Sequence, residues 1–379
     1  MSDTPLAPLR SWLSAPLDKD VSEAIDRLRL APDVEQIAVM PDVHLSADVC
    51  IGVVIATSQL IYPQAVGGDI GCGMLAVGLD IDATALAAPK IAGQVLSDLG
   101  RAVPVRRRNR SAVRAQPGDL EGRTLSDDRL DAVRRSKGIL EFATLGSGNH
   151  FIELQADEQQ RLWLMVHSGS RVLGQTIRDH HLARAQPVDS RLRALDARSD
   201  AGAEYLHDLA YARHFAASSR RAMAEEVGVV LSRTLGANVC WETLIATDHN
   251  HVALERHVER DLWVHRKGAM GLRHGESGVL PGSMGSLSFH VEGRGCEEAL
   301  CSSAHGAGRA MSRTVAWSKV TERMLRQEME GVWYDVRLSA RLRDEAPSAY
   351  KDVRSVLKAQ RELVKVTRTL RPILSYKGL

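Results

Sequence analysis

Residues 66–79 read Val66-Gly67-Gly68-Asp69-Ile70-Gly71-Cys72-Gly73-Met74-Leu75-Ala76-Val77-Gly78-Leu79. A glycine-rich turn feeds directly into a short apolar run. Glycine permits positive φ and close approach of the backbone. A short apolar run bounded by turn residues suits a buried strand. Ile37-Ala38-Val39-Met40 and Ile51-Gly52-Val53-Val54-Ile55-Ala56 repeat the pattern, and Leu162–Val166 runs into another glycine turn. Helical spacing surrounds these runs, around Val21–Leu30, over Ala83–Leu99 and near Leu125–Phe142. Tyr205, Leu209, Ala212 and Ala216 step by three and four, which predicts a long amphipathic helix over 203–235. Residues 241–300 return to short strands and glycine loops, a helix is expected from His305, and another over 350–371. The reading is an α+β fold in one domain over 1–379, with central strands and glycine loops enclosed by helices. No linker cuts the chain and no fixed-period repeat is visible.

Composition narrows the class. With 379 residues, 44% apolar and 25% charged, the chain matches an ordinary globular protein and not a disordered one. A formal net charge of +2 supplies no global basic field of the kind that advertises a nucleic-acid binder. The apolar runs are too short to span a bilayer. The opening MSDTPLAPLRSWLS lacks the basic and apolar regions of a secretory signal. The five cysteines, Cys50, Cys72, Cys240, Cys296 and Cys301, are odd in number and follow no disulfide framework. They point to a cytoplasmic, reducing setting with thiols free for packing or metal.

His150, His167, His249 and His305 each sit in or beside a Gly, Ser or Asn turn. Loops at strand ends are where a rigid scaffold presents chemistry. Asp69 and Cys72, three apart in a glycine turn, can point the same way and form half of a metal site. Taken alone, such a turn is more often a buried turn with an incidental Cys. Gly146-Ser147-Gly148-Asn149-His150, Val166-His167-Ser168-Gly169-Ser170-Arg171 and His249-Asn250-His251 add three loop histidines. Together the five side chains have the makings of a two-metal site sharing a thiolate, the device that clamps attacking and leaving oxygens in phosphoryl chemistry. Pro281-Gly282-Ser283-Met284-Gly285-Ser286 and Ser302–Arg309 offer backbone N–H groups and hydroxyls to phosphate. Neither matches the P-loop. Imidazole is a recognised covalent catalyst, yet the residues alone favour a packing or capping role for His305.

Residues 101–124 hold Arg101, Arg106, Arg107, Arg108, Arg110, Arg114 and Arg123. They read equally as a phosphate-tracking surface and as a solvated loop balanced by Asp119 and Glu121. No aromatic is interleaved, so base stacking is not indicated there.

The motifs converge on one family. From about Ala38 to Gly378 the chain resembles the RtcB-type RNA-splicing ligases. The resemblance is carried by MPDVHL at 40–45, GGDIGCGM at 67–74, LGSGNHFIE at 145–153 and HSGSR at 167–171. It continues through HN at 249–250, RKGA at 266–269, PGSMG at 281–285, HGAGRAMSR at 305–313 and Lys377-Gly378. It implies a GTP- and manganese-dependent ligase that joins an RNA 3′-phosphate or 2′,3′-cyclic phosphate to a 5′-hydroxyl, in RNA repair or tRNA splicing. It implies two Mn²⁺ ions on Asp69, Cys72, His150, His167 and His249, with Cys72 bridging. Ligand preferences alone rank such a set for zinc or a late transition metal, so zinc is expected to bind and to inhibit. GTP-binding positions fall on Asn149, His150, Phe151, Ile152, Glu153, His249, Asn250, Pro281, Gly282, Ser283, Met284, Ser288, Gly306, Ala307, Gly308 and Lys377. The guanylylated nucleophile falls on His305, and Arg171 and Arg309 are candidates for RNA phosphates. RNA is the implied partner, an archease-like helper is compatible with the family, and a monomer is the expected state.

Two stretches depart from the family pattern. Ser46-Ala47-Asp48-Val49-Cys50 replaces a glycine-rich basic stretch, and Ser219-Arg220 stands where Asn-Arg is usual. The chain is also shorter than typical members, which suits a compact repair branch. A metal-dependent cyclic phosphoesterase and a non-catalytic RNA-binding module are the competing readings.

Overall fold

A computed structural model describes residues 6–378. The leader reading of residues 1–14 therefore falls in part outside the described residues. The apolar runs become strands of two sheets. The larger has seven strands in the order Val239–Asp248, Gly73–Asp82, Arg161–Ser168, Phe151–Ala156, Val364–Lys377, Ser288–Gly293, Ser277–Leu280. Every neighbouring pair in it is antiparallel. The smaller orders Leu9–Ser11, Val34–His44, Ile51–Thr57, Arg260–Lys267 and Asn250–His257, with only the first pair parallel. Val239–Asp248 belongs to one sheet and Asn250–His257 to the other, so the chain crosses between sheets at His249.

The long helix spans Asp200–Leu235. Ser199 caps its start by accepting from Gly202 N, and Gly236 ends it in the left-handed region at φ 71°. Its small residues let it lie close over the 66–73 turn. At Gly71, with φ +71°, a Cβ would meet Arg213 Cα at 2.8 Å and Ala216 Cβ at 3.2 Å. Glycine is what lets helix and turn approach. Phe215 packs edge-on against Phe142 in the main core, beside Leu75, Val77, Leu164 and Val166.

Several expectations needed correction. The helix expected over Ala83–Leu99 is a 3₁₀ turn at Ala83–Leu86 and a helix over Pro89–Ala102, because Pro89 lacks the N–H to continue a helix and suits its first turn. The helix expected near Leu125–Phe142 is present over 128–141, with a π-helical turn at Arg134–Gly138 between Asp128–Val133 and Ile139–Glu141. No helix opens at His305. The segment stays irregular until Ser312 caps Arg313–Lys319, so no helix dipole acts on His305. Only Val353–Ala359 of the expected 350–371 helix is helical, and Val364–Lys377 is a central strand. Among the described residues no helix is long and apolar enough to cross a membrane.

Candidate metal and nucleotide site

Four separated segments bring the five metal-ligand candidates together. Asp69 and Cys72 come from the turn ahead of Gly73–Asp82, His150 from the turn ahead of Phe151–Ala156, His167 from the end of Arg161–Ser168, and His249 from the sheet crossing. The crossing is tied to the turn by His249 N to Cys72 O (2.8 Å) and Gly71 N to Asn250 O (2.8 Å). Cys72 Sγ lies 3.3 Å from His167 Nε2 and 3.6 Å from His150 Nε2. His167 Nε2 is 3.4 Å from His249 Nε2, and His150 Nε2 is 2.9 Å from Asp69 Oδ2.

Their outer partners fix the tautomers. His150 Nδ1 donates to Leu145 O (3.0 Å) and His167 Nδ1 to Asn149 O (3.1 Å), since a carbonyl can only accept. Both Nε2 lone pairs then point inward, at a thiol and a carboxylate. His249 Nδ1 is buried without a partner. Inward lone pairs, a carboxylate and a sulfur leave the cluster short of positive charge, which is the donor chemistry of a metal site. Burial keeps the His167 and His249 rings neutral and pushes the Cys72 thiol well up, so a thiolate there needs a cation. The donors form two overlapping groups, Asp69–Cys72–His150 and Cys72–His167–His249, which share the sulfur.

His305 stands against this cluster, its ring centroid 4.6 Å from that of His249. Its Nδ1 lies 2.7 Å from Oδ2 of the fully buried Asp42, which leaves Nε2 as the free nitrogen. Gly268, at φ +66°, makes room, since a Cβ there would meet Ile51 Cγ2 at 2.2 Å and His305 Cε1 at 3.2 Å. Asp42 was missed by the residue-level reading, and its only signal was its place in the MPDVHL run.

On one side of His305 lies a narrow enclosed cavity. Asn149, Phe151, Glu153, Pro281, Gly282, Ser283, Met284, Gly306, Ala307, Gly308 and Lys377 all line it. Glu153 is 2% exposed and accepts from Gln155 Nε2 (2.8 Å) and Ser375 Oγ (3.1 Å). Burial raises its carboxyl to about 7, against the pull of Lys377. Lys377 Nζ pairs with Glu345 Oε2 at 2.6 Å, and Tyr350 Oη donates to the same oxygen at 2.7 Å. Glu345 and Tyr350 also line the cavity and carried no local sequence signal. Ile152 and Ser288 do not reach it. Ile152 packs in the main core, and Ser288 Oγ accepts from Gln155 Nε2 and Gly282 N, bracing the Pro281–Ser283 loop from behind. Arg309 borders the cavity, but its donors go to Met311 O and Asp344 O, so its guanidinium is already bound by the protein.

On the other side opens a cleft of about 440 Å³, bounded by Asp48, Asp69, Cys72, Arg171, Asn250 and Lys267, among others. Asn250 is taken up internally, giving Nδ2 to Asp69 O and taking Gly268 N on Oδ1. Lys267 Nζ donates to Val49 O at 2.7 Å, so the 46–50 departure carries its own backbone anchor. Ser219 Oγ accepts from Ala143 N, and Arg220 holds Gly71 O and Ser168 O. That position therefore has a polar contact without Asn.

Two other charged places are satisfied within themselves. The largest cavity, about 890 Å³, backs the cluster, but its walls pair Arg213 with Asp248 and Arg266 with Glu255. His257, Glu297 and Cys301 are close enough to hold a metal, and His257 is already held between Glu297 and Glu255.

Comparison with known proteins adds names to this geometry. A family model described as tRNA-splicing ligase RtcB matches residues 25–378. The chain is 37% identical to the RNA-splicing ligase RtcB of Escherichia coli strain K12, over 98% of each chain. It is 31% identical to an RNA-splicing ligase RtcB2 of another E. coli strain, over 92% of this chain and 89% of that one. It is 25% identical to a tRNA-splicing ligase RtcB of Methanococcus maripaludis, over 90% and 87%.

Proposed function

The chain belongs to the RtcB family, and from that premise we propose that it is an RNA ligase joining 3′-phosphate or 2′,3′-cyclic phosphate ends to 5′-hydroxyl ends through a histidine–GMP intermediate. The observation that carries this reading is the placement of His305. Its free nitrogen stands between a donor cluster short of positive charge and a cavity carrying a carboxylate and an ammonium.

Asp69, Cys72, His150, His167 and His249 would hold two Mn²⁺ ions, which supply positive charge to phosphate oxygens. The enclosed cavity takes the guanosine of GTP, with Glu153 and Lys377 as its polar ends. Asp42, which accepts the His305 backbone N–H on Oδ2 at 3.2 Å and lies 2.7 Å from Nδ1, braces the residue so that Nε2 faces the α-phosphate. An Nε2–P bond forms, the bond to pyrophosphate breaks, and pyrophosphate leaves with the electron pair. An oxygen of the RNA 3′-phosphate then displaces His305, which takes back its lone pair. The RNA 5′-hydroxyl attacks that activated phosphate and loses its proton, and GMP departs with the bonding pair. A cyclic end must first be hydrolysed to the 3′-phosphate.

Incubation with α-labelled GTP and Mn²⁺ tests this. Wild type should carry label that survives denaturation and is released by acid, as a phosphoramidate is. His305→Ala and Cys72→Ala should carry none. A folded, metal-loaded wild type that takes no label would sink the autonomous-ligase reading and favour a phosphoesterase, an activator-dependent ligase or a binding module.

A further inference from the structure

The arginine-rich loop is joined to the metal-bearing turn. Leu145 N donates to Pro104 O (2.9 Å) and Gly146 N to Val105 O (3.0 Å). Gly146 lies hard against the site, since a Cβ there would meet Arg171 Nη1 at 1.9 Å and His150 Nδ1 at 2.7 Å. Arg106 and Arg107 follow directly in the chain, so backbone pairing sets them next to the turn that carries His150.

The loop sorts its arginines into two sets. Arg101 pairs with Asp98, Arg114 with Glu225 and Glu226, and Arg108 with the carbonyls of Ala102 and Ala143. Arg106, Arg107, Arg110 and Arg123 are exposed, and among the described residues none makes an ion pair. The carboxylates that would balance them are not turned to them. Asp119 pairs with His214 at 2.8 Å, and Glu121 makes no ion pair within the loop. Arg106, Arg107 and Arg110 fall within five residues of chain and lack counter-charge, so they repel one another and a polyanion relieves that repulsion, whereas Arg123 lies apart, next to Thr124, whose carbonyl is held by His207. Guanidinium matches phosphate in two-point geometry. With no aromatic in 101–124, the recognition is of backbone and not of bases. The cleft adds Arg171, while Arg178 there is already paired with Asp179 and Lys267 is tied to Val49 O.

We propose that Arg106, Arg107 and Arg110 form a sequence-independent track for the phosphates of the RNA strand whose 3′-phosphate end enters the cleft beside Cys72 and His305. This rests on the ligase reading and names the surface that feeds its site.

The test is the salt dependence of binding of a short, fluorescently labelled single-stranded RNA with a 3′-phosphate, measured on the metal-loaded protein. Each phosphate contact on a single strand contributes about 0.7 to the slope of log affinity against log salt. Arg106→Gln/Arg107→Gln/Arg110→Gln should make the slope shallower by about 2, with the thermal midpoint unchanged. Arg107→Glu alone gives a second measure and should weaken binding and flatten the slope. Arg101→Gln/Arg114→Gln, on guanidiniums already neutralised, should keep the wild-type slope. A triple variant with wild-type slope and affinity overturns the proposal while wild type still binds. Wild type that binds no RNA at any salt would defeat the ligase reading itself.

Discussion

Asp42 is fully buried, and its Oδ2 lies 2.7 Å from His305 Nδ1. Asp42→Asn keeps the shape and removes the charge that orients His305 and stabilises it as it reacts. Labelling by GTP should slow by about 10²-fold, the scale of a lost proton-transfer partner, with GTP affinity little changed; single-turnover labelling against GTP concentration separates the two. Glu153 makes a different prediction. Its folded-state pKa of about 7 lies above the ordinary 4.5, so the folded state favours the neutral acid. Stability from this group is full below 4.5 and is lost as pH rises through about 7. Glu153→Gln removes the titration. Its stability relative to wild type should climb between those two values and level off above them, read by urea unfolding across pH. Parallel curves for the two proteins would refute the shifted carboxyl.

At the level of elements, the fit of helix to turn decides whether the metal donors meet. Gly71→Ala forces a Cβ into Arg213 Cα while holding a positive φ. It should cost about 1–3 kcal/mol and loosen Asp69 and Cys72, lowering metal affinity in an equilibrium dialysis measurement. The strands at 37–40, 51–56, 74–79 and 162–166 were legible because each is a short apolar run bounded by turn residues, and the long helix because its apolar residues step by three and four. The Val364–Lys377 strand was not. Apolar residues at 353, 356, 357, 363 and 364 continue the spacing of the short helix before it, and Pro372 argues against an interior strand. Pro372 is accommodated where the pairing with Phe151–Ala156 shifts register, between Pro372 and Leu374. The cluster histidines were legible because they sit in glycine turns. Asp42, Glu345 and Tyr350 were not, because tertiary packing alone brings them to the site.

Across the whole molecule, the site joins segments far apart in sequence, so occupancy and folding are linked. A ligand that binds only the folded state at about a hundredfold its Kd adds about 2.7 kcal/mol. Mn²⁺ at that excess should raise the unfolding free energy of wild type by that amount and leave Cys72→Ala nearly unmoved. The Lys377–Glu345 pair spans the cavity from another direction. Lys377→Met removes one cation from the buried Glu345, which keeps Arg313 and Tyr350 as partners, and should cost about 1.5–3 kcal/mol. Loss of GTP labelling in a variant that stays folded by circular dichroism separates a nucleotide-binding role for Lys377 from a structural one.

The strand Val364–Lys377 lies between Phe151–Ala156 and Ser288–Gly293, yet it is made after every other strand of its sheet. During translation, therefore, the two flanking strands wait with an unfilled slot between them. Each presents an open edge, and open edges on a nascent chain invite wrong pairing. Closure needs a long-range insertion, which is slow because the intervening chain must first be confined. The strand that fills the slot also delivers Lys377 to the cavity. A ribosome that stalls short of it leaves a chain with all five candidate donors but an unfinished cavity, so on the proposed function the capacity to react with GTP would arrive only with the final act of sheet closure.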